Sequence, residues 1–565
     1  MSGSGSGRSD PKPSGWAPAQ RLGRTLLPAL AVLALVTQVL ALCAEHFQAN
    51  LNSDDLYLYL FCQDVLGRGG PLAGWTLGSA PYFFPDVTGL SLLLGPAGLQ
   101  GLAFPLYAAG SALALAVLIG WVLRSLEPAA SGPWWRGLLV ANLLLAMRGL
   151  PGMDRWLWQE LSPGFHGGTI LVGLALTALI LRQLQDAGRR WEWGLVAVLL
   201  WLGVLSDALV LLQFGLPLLA VLGWRRRDAG ARPVLRHYGR SLAAALALLA
   251  ATRLALAWRE VFFFSRVFRA VPTPARAVAA AAQLLADLGS GLWPVAIAAG
   301  AALLLVLVRS ARRTAVPRER WIAGWVLASV GLTVGAVVGL GYWTDELRSR
   351  YLLNLLVVPL TGAAALLPAW LAARPASWRR AARAGASFAL GALALAAWPA
   401  VVPARLTFPY PADIAELDAF LQQHQLRRGL ADYWTVNRLN VLGRSNARLF
   451  ALRSAPNASA ATATAYFWAN NAYGALERDL PAGAWSLPRY TFIVTNGLDE
   501  AALVDRYGPP AERDTAGSWQ VWILADPDRA SRLVGQDVRA RLTGKRWQVV
   551  GSDLDQVLPS GKASP

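Results

Sequence analysis

The spacing of apolar runs constrains this chain more than anything else in it. Runs of about twenty residues cross a hydrocarbon core of ~30 Å at 1.5 Å per residue. Such runs recur from Thr25 to Pro403 and then stop. Inside a bilayer no water meets the backbone N–H and C=O groups, so each run must cross as a helix that satisfies its own hydrogen bonds. The segments that fit are 25–44, 101–123, 137–149, 166–182, 191–206, 208–224, 241–257, 291–308, 321–341, 351–373 and 384–403. The predicted fold class is therefore a polytopic α-helical membrane protein of about 11 transmembrane helices with a C-terminal α/β domain. Three regions follow. Residues 1–24 are read as a disordered cytoplasmic N-terminus, Gly/Ser/Pro-rich at its start. Residues 25–403 are the membrane region, with a first outer loop at 45–85, and residues 404–565 are a soluble domain.

Composition agrees with this division. Of the 565 residues, 55% are hydrophobic and 15% charged, whereas soluble domains carry about a quarter charged residues. The net charge of +18 would suit nucleic acid, but its placement argues against that partner. Arginines gather in short segments between apolar runs: Arg21 and Arg24, Arg189 and Arg190, Arg225–Arg227, Arg309, Arg312 and Arg313, and Arg379, Arg380 and Arg383. Cytoplasmic loops carry such an excess. The N-terminus is then cytoplasmic, and an odd number of spans puts the C-terminal domain outside. The run 25–44 is too long for a signal-peptide core and lacks a clean cleavage site. Leu42, in LALC, stands where a lipoprotein box needs a small residue, so this run reads as an uncleaved first helix. Cys43 and Cys62 are too few for a disulfide framework, and whether they pair stays open.

Two stretches need a more detailed reading. The region from Pro85 to Arg124 is too long for one helix and contains Pro96 and Pro105, so Asp86–Leu94 is read as a helix dipping into or lying on the outer surface. The stretch from Arg190 to Arg225 is basic at both ends and must go out and return. Its only polar break, Ser206-Asp207, marks an outer turn.

The chemistry-bearing residues fall in the outer segments. In the first loop, Asp54 and Asp55 precede the aromatic stretch Leu56–Phe61, which reads as an amphipathic helix on the membrane surface. The pair suits catalysis, and Ser53 and Asp54 are equally good N-caps. His166 stands before Gly167 and Gly168 at the mouth of its helix, as a substrate contact or a structural histidine. Asp207 lies at membrane depth, where an unpaired carboxylate is costly and function is the default reading; capping the next helix is the alternative. The loop from Trp258 to Ser290 carries Arg259, Arg266, Arg269 and Arg276, which suit a lipid-linked phosphate or anionic headgroups. Arg348 and Arg350 open a late helix in RSRYLL, where a guanidinium suits a phosphate. The sequence has no phosphate-binding P-loop motif, no metal-type His/Cys cluster and no Gly-x-Ser-x-Gly elbow.

An acidic pair in the first outer loop, an Arg-Tyr-Leu start to a late helix and a soluble outer tail resemble the GT-C glycosyltransferases. The resemblance is closest to bacterial relatives of the family-39 mannosyl- and aminoarabinose transferases, and it covers nearly the whole membrane region. It implies an inverting glycosyltransferase of the bacterial inner membrane, with a periplasmic C-terminal domain. The enzyme would move a sugar from a polyprenyl-phosphate donor to a glycan, lipid or protein acceptor. Asp54 would be the catalytic acidic residue of the first loop and Asp55 its acidic neighbour, with Arg350 facing the donor phosphate; Arg348 and Arg266 are further phosphate candidates on the residues alone. His166 and Asp207 look like recurring features of these relatives, and on the residues alone His166, Asp207, Tyr351, Tyr433 and Trp434 are the substrate-binding candidates. The family often has Asp-Glu or a separated pair here, so which of Asp54 and Asp55 is the base stays open. A divalent metal also stays open, although no ligand cluster demands one.

The residues fit that chemistry on their own terms. A sugar hydroxyl attacking an anomeric carbon must lose its proton, which a carboxylate can accept. An adjacent carboxylate and a dry site raise its basicity. The phosphate leaving group needs only charge neutralisation, which an arginine supplies. In the tail, PADIAELDAFLQQHQL and LDEAALVDRYG have helical spacing, and ARLFALR, RYTFIVTN and SWQVWILAD read as strands. GLADYWTVNRLNVL and AYFWANNAYG carry the Trp, Tyr and Asn that sugars favour, or that a core or a membrane contact would use. A transporter or flippase of lipid-linked sugars is the competing class, and a non-catalytic relative of the same fold is the third. Transporters tend to show internal repeats and midplane charges; here the polar groups gather at the outer surface.

Overall fold

A computed structural model describes residues 17–49, 51, 53–67, 72, 75–78, 80–95, 102–127, 133–185, 188–228, 230–258, 261–263, 273–311, 317–343, 350–372, 374–402, 405–455, 462–465, 470–471, 477–479 and 484–543. The first half of the chain forms α1 (Ala17–Ala49), α2 (Ser53–Cys62), β1 (Trp75–Leu77), α3 (Thr88–Leu94), α4 (Ala103–Leu126), α5 (Pro133–Ala146), α6 (Met153–Leu161), α7 (Gly167–Leu184), α8 (Glu192–Ser206) and α9 (Leu216–Trp224). Next come α10 (Ala231–Trp258), β2 (Phe262–Phe263), α11 (Pro274–Ser290), α12 (Trp293–Ala311), α13 (Pro317–Gly339), α14 (Asn354–Ala372) and α15 (Ala376–Ala397). A helix stands over every apolar segment singled out in the sequence. Among the described residues, seven stretches are long and apolar enough to cross a membrane, in α1, α4, α7, α10, α12 and α13 and from Arg350 into α14. α8, α9 and α15 carry shorter apolar stretches. α1 already begins at Ala17, inside the segment read as N-terminal to the first span.

Helix direction sorts the ends of this array. The C-termini of α4, α7 and α12 and the N-termini of α5, α8 and α13 share one end, which is tied by ion pairs. Glu127 takes both Arg136 (2.9 Å) and Arg318 (2.6 Å), Arg182 meets Glu192 at 2.9 Å, and Arg309 meets Glu319 at 3.3 Å. The N-terminus of α7, the C-terminus of α8 and the N-terminus of α14 lie at the opposite end. α8 stops at Ser206 because Asp207 turns extended (φ −160°, ψ 117°), so the polar break in the sequence is a break in the helix. Asp86–Leu94 is also helical, as a wide turn over Phe83–Val87 that runs into α3.

Two expectations about the connecting segments need correction. α2 does not lie with one face open on a membrane surface. Leu56, Tyr57, Leu58, Tyr59, Phe61 and Cys62 are all buried, because the C-terminal domain covers this helix. The 258–290 stretch read as loop contains α11, started by Pro274 at its first position and by the Thr273 hydroxyl accepting from the Arg276 N–H at 3.3 Å. α6 is a further short helix between α5 and α7. Cys43 and Cys62 are both free, buried thiols, and Cys62 Sγ lies 3.7 Å from the Ser91 hydroxyl.

The C-terminal domain comprises α16 (Ala412–Gln423), β3 (Arg428–Asp432), α17 (Tyr433–Leu442), β4 (Arg448–Ala455), β5 (Thr462–Ala465), β6 (Asn470–Asn471), β7 (Glu477–Asp479), β8 (Ala484–Ser486), β9 (Phe492–Val494), α18 (Glu500–Tyr507), β10 (Pro510–Ala516), β11 (Trp519–Leu524) and α19 (Pro527–Thr543). Its six-stranded sheet has the order β10-β11-β9-β3-β4-β5. β3 runs parallel to β4 and β9 at the centre, and the flanking pairs are antiparallel. One face of the sheet packs with Tyr490, Tyr507, Trp522 and Val534 in its own core. The other face, with Ile414, Val436, Leu439 and Phe492, merges into the large core that runs through α1, α2, α4 and α7. The junction is specific as well as apolar. Ser53 Oγ donates to the Tyr433 carbonyl at 2.6 Å, and Asn437 Nδ2 donates to the Ser53 carbonyl at 3.4 Å. A small second sheet joins β1, which follows α2, to β2, in parallel, and to β6 of the domain, antiparallel.

Candidate functional site

The polar residues at the N-terminal end of α7, the C-terminal end of α8 and the N-terminal end of α14 meet at one place. His166 caps α7 (Gly167–Leu184), and its Nδ1 lies 2.5 Å from Asp207 Oδ2. Thr169 Oγ1 donates to the same carboxylate oxygen at 2.6 Å, and the Leu209 N–H donates to Oδ1 at 3.0 Å. With three donors around it, Asp207 both caps the turn after α8 and orients the imidazole. The two readings drawn from the sequence are therefore compatible. With Nδ1 directed at Asp207, Nε2 is the nitrogen left to meet a ligand.

The glycines beside His166 explain how its helix gets so close to its neighbours. A Cβ at Gly167 would stand 1.8 Å from the Glu160 carbonyl at the end of α6, and one at Gly168 would stand 2.6 Å from Pro85 Cδ. Only hydrogen fits at either position. Glu160 itself is buried, and burial pushes its carboxyl well above the usual carboxylate range. Across Gly168, Asp86 is 1% exposed and accepts a hydrogen bond from the Tyr107 hydroxyl.

Two aromatic rings bracket the imidazole. Tyr82 stands edge-on with ring centroids 5.6 Å apart, and Tyr351 lies at 5.1 Å. Tyr82 adopts a left-handed backbone (φ 54°), which costs an L-residue about 1–2 kcal/mol. Its N–H donates to the Ser206 carbonyl at 3.1 Å, and its own carbonyl accepts from the Val87 N–H at 2.9 Å, so both neighbours of the turn hold it there. Strain of this kind concentrates at functional sites. Tyr82 also contacts Tyr57 of α2 (centroids 6.5 Å), which stands one turn on from Asp54 and donates its hydroxyl to the Ala80 carbonyl at 3.2 Å.

Arg350, Tyr351 and Leu352 form a tight turn just ahead of α14 (Asn354–Ala372). The Arg350 guanidinium carbon lies 5.4 Å from the Tyr351 ring centre. A buried polar ladder fixes this turn from below. Gln213 Nε2 donates to the Tyr351 carbonyl at 2.9 Å, and Ser329 Oγ donates to the Gln213 carbonyl at 2.5 Å. Asn354 Nδ2 reaches Thr333 Oγ1 at 2.9 Å and Ser329 Oγ at 3.2 Å. No known family model matches the chain, and it has no match among curated proteins. The site is therefore read from its own residues.

Of the residues singled out in the sequence, Arg350, Tyr351, His166 and Asp207 come together. Tyr433 and Trp434 stand at the start of α17, against α2: the Tyr433 ring is buried, whereas Trp434 is 57% exposed and open to stacking. Asp54 and Asp55 lie in the first turn of α2, with their side chains outside the described residues, as are Arg348 and Arg266 entirely. Sequence reasoning missed Tyr82, Asp86 and Glu160 as members of the site. Asp86 had a readable signal, a lone carboxylate inside the apolar run YFFPDVTGLSLLL; Tyr82 had none. Among the described residues no group of three or more His, Cys, Asp or Glu could hold a metal ion.

Proposed function

We propose that this protein is an inverting GT-C-type glycosyltransferase. It moves a sugar from a polyprenyl-phosphate donor to a glycan, lipid or protein acceptor on the extracytoplasmic face. The observation that supports this reading most is the convergence of four outer segments at the end of the helix array opposite the arginine-rich ion pairs. Tyr82, His166, Asp207 and the Arg350–Tyr351 turn meet there, beside the helix that carries Asp54 and Asp55. In the proposed reaction the acceptor hydroxyl gives its proton to the first-loop carboxylate as its oxygen attacks the anomeric carbon. The anomeric C–O bond to phosphate breaks, and polyprenyl phosphate leaves as an anion, unprotonated. Arg350 neutralises that anion, while His166 and Trp434 meet sugar hydroxyls and faces.

The reading also fixes an orientation. Eleven spans with a cytoplasmic N-terminus put the first loop and the C-terminal domain on one outer face of a bacterial inner membrane. The pairing of β1 with β6 and of Ser53 with Tyr433 fits that arrangement. Reporter fusions after residues 60, 230 and 450 should read outside, inside and outside. An inside signal at 450 would overturn the orientation.

The test of the activity itself is transfer by purified, reconstituted protein offered polyprenyl-phosphate sugars. Arg350→Ala should weaken binding of a polyprenyl-phosphate analogue by about tenfold or more, as expected for a lost charge-assisted hydrogen bond, and Arg350→Lys by less. Analogue binding unchanged in the alanine variant would make Arg350 a headgroup anchor. Passage of the lipid-linked sugar across vesicles without transfer would favour a flippase.

A further inference from the structure

A cavity of about 580 Å³ opens between α9, α12 and α13 at the end of the helix array opposite the candidate site. That volume falls in the range of ligand pockets. Small side chains make the space: Ala220 on α9, and Ala323, Gly324 and Ala328 on α13. Val221 and Ala323 form a buried floor, and Leu327 and Trp224 form exposed walls (45% and 66%). Trp224 closes tightly over Gly324, where a Cβ would stand 2.9 Å from the indole.

The slot is graded from polar to apolar along α13. Arg320 and Ser310 lie at its mouth, and eight residues separate Arg320 from Ala328 at the inner end, about 12 Å along the helix. Apart from those two residues its lining is apolar. The surroundings of the mouth are basic. Arg225 is taken by Asp228 and Arg309 by Glu319, while Arg226 and Arg227 stand exposed beside them.

We infer that this slot binds an anionic phospholipid, with the phosphate at Arg320 and an acyl chain running inward past Gly324 to Ala328. Charge at the helix ends with an apolar groove leading inward complements such a lipid and suits neither a free anion nor a polar solute. Basic pockets between spans take acidic headgroups in this way. Trp224 is the last residue of α9 and lines the slot at the basic end of the array, and tryptophans favour the headgroup level of membranes.

The test uses the whole protein in nanodiscs of mixed phosphatidylglycerol and phosphatidylcholine, followed by native mass spectrometry of the lipid it retains. The wild type should keep phosphatidylglycerol in preference to phosphatidylcholine. Arg320→Ala should cut that retention roughly fivefold, and Arg320→Lys should restore most of it. Ala328→Trp, which plugs the inner end and leaves the charge intact, should also lower retention. Soluble glycerol phosphate should not displace the lipid. Equal retention of the two lipids by the wild type would overturn the inference, as would unchanged retention in Arg320→Ala or Ala328→Trp, or displacement by glycerol phosphate.

Discussion

Asp207→Ala is expected to destabilise the protein by about 3–5 kcal/mol, the usual cost of removing one partner from a buried pair. The carboxylate gathers three donors, from His166, Thr169 and Leu209, and alanine leaves all three without that partner at a buried position. Asp207→Asn keeps one oxygen acceptor for part of the set and should lose about 1–3 kcal/mol. The order wild type, Asn, Ala should therefore appear in unfolding of the detergent-solubilised protein. A double-mutant cycle adds the partner. With Asp207 already alanine, His166→Ala should cost little more, because the two side chains share one interaction. An alanine variant as stable as the wild type would mean that the Asp207–His166 contact does not hold this turn. The same change should also depress transfer, since it releases the imidazole bracketed by Tyr82 and Tyr351.

The parts of the fold legible in the sequence are those with a local cause. The break at Ser206-Asp207 could be read because a polar pair interrupts an apolar run between two basic ends. The helix after Pro85 could be read because one span cannot fill that length. In the tail, α16, α18, β4, β9 and β11 follow their hydrophobic periods. α11 was also within reach, since Thr-Pro followed by an Ala/Leu pattern is a helix start, but its arginine-rich neighbourhood drew it into a loop. β10 alternates too weakly to declare itself: it is a mostly exposed edge strand.

What stayed illegible depends on distant pairing. Nothing near Leu56–Phe61 says that a domain nearly 400 residues later will cover α2, so its aromatic face read as a membrane surface. In the structure Ser53 and Tyr433 meet across that junction. Nor can periodicity find a sheet whose strands come from three separate segments, 75–77, 262–263 and 470–471. The site divides in the same way. His166, Asp207, Arg350 and Tyr351 carry charge or aromatic character in odd places and were visible singly. Their meeting, and the place of Tyr82 between Tyr57 and His166, follow from how α7, α8 and α14 end together.

The central claim is that the first-loop acidic pair accepts the acceptor's proton, and Asp54→Asn tests it most directly. Asparagine keeps the size and the capping oxygen at the start of α2, so a structural role would survive at a modest cost. It cannot accept the hydroxyl proton, and loss of a general base costs about 10²–10⁴-fold in rate. The measurement is turnover of a polyprenyl-phosphate sugar by reconstituted protein, with analogue binding and thermal unfolding recorded on the same samples and Asp55→Asn run beside it. The predicted result is transfer reduced by at least about a hundredfold in one of the two single variants, with binding and unfolding close to wild type. Near-normal transfer in both Asp54→Asn and Asp55→Asn would contradict the account.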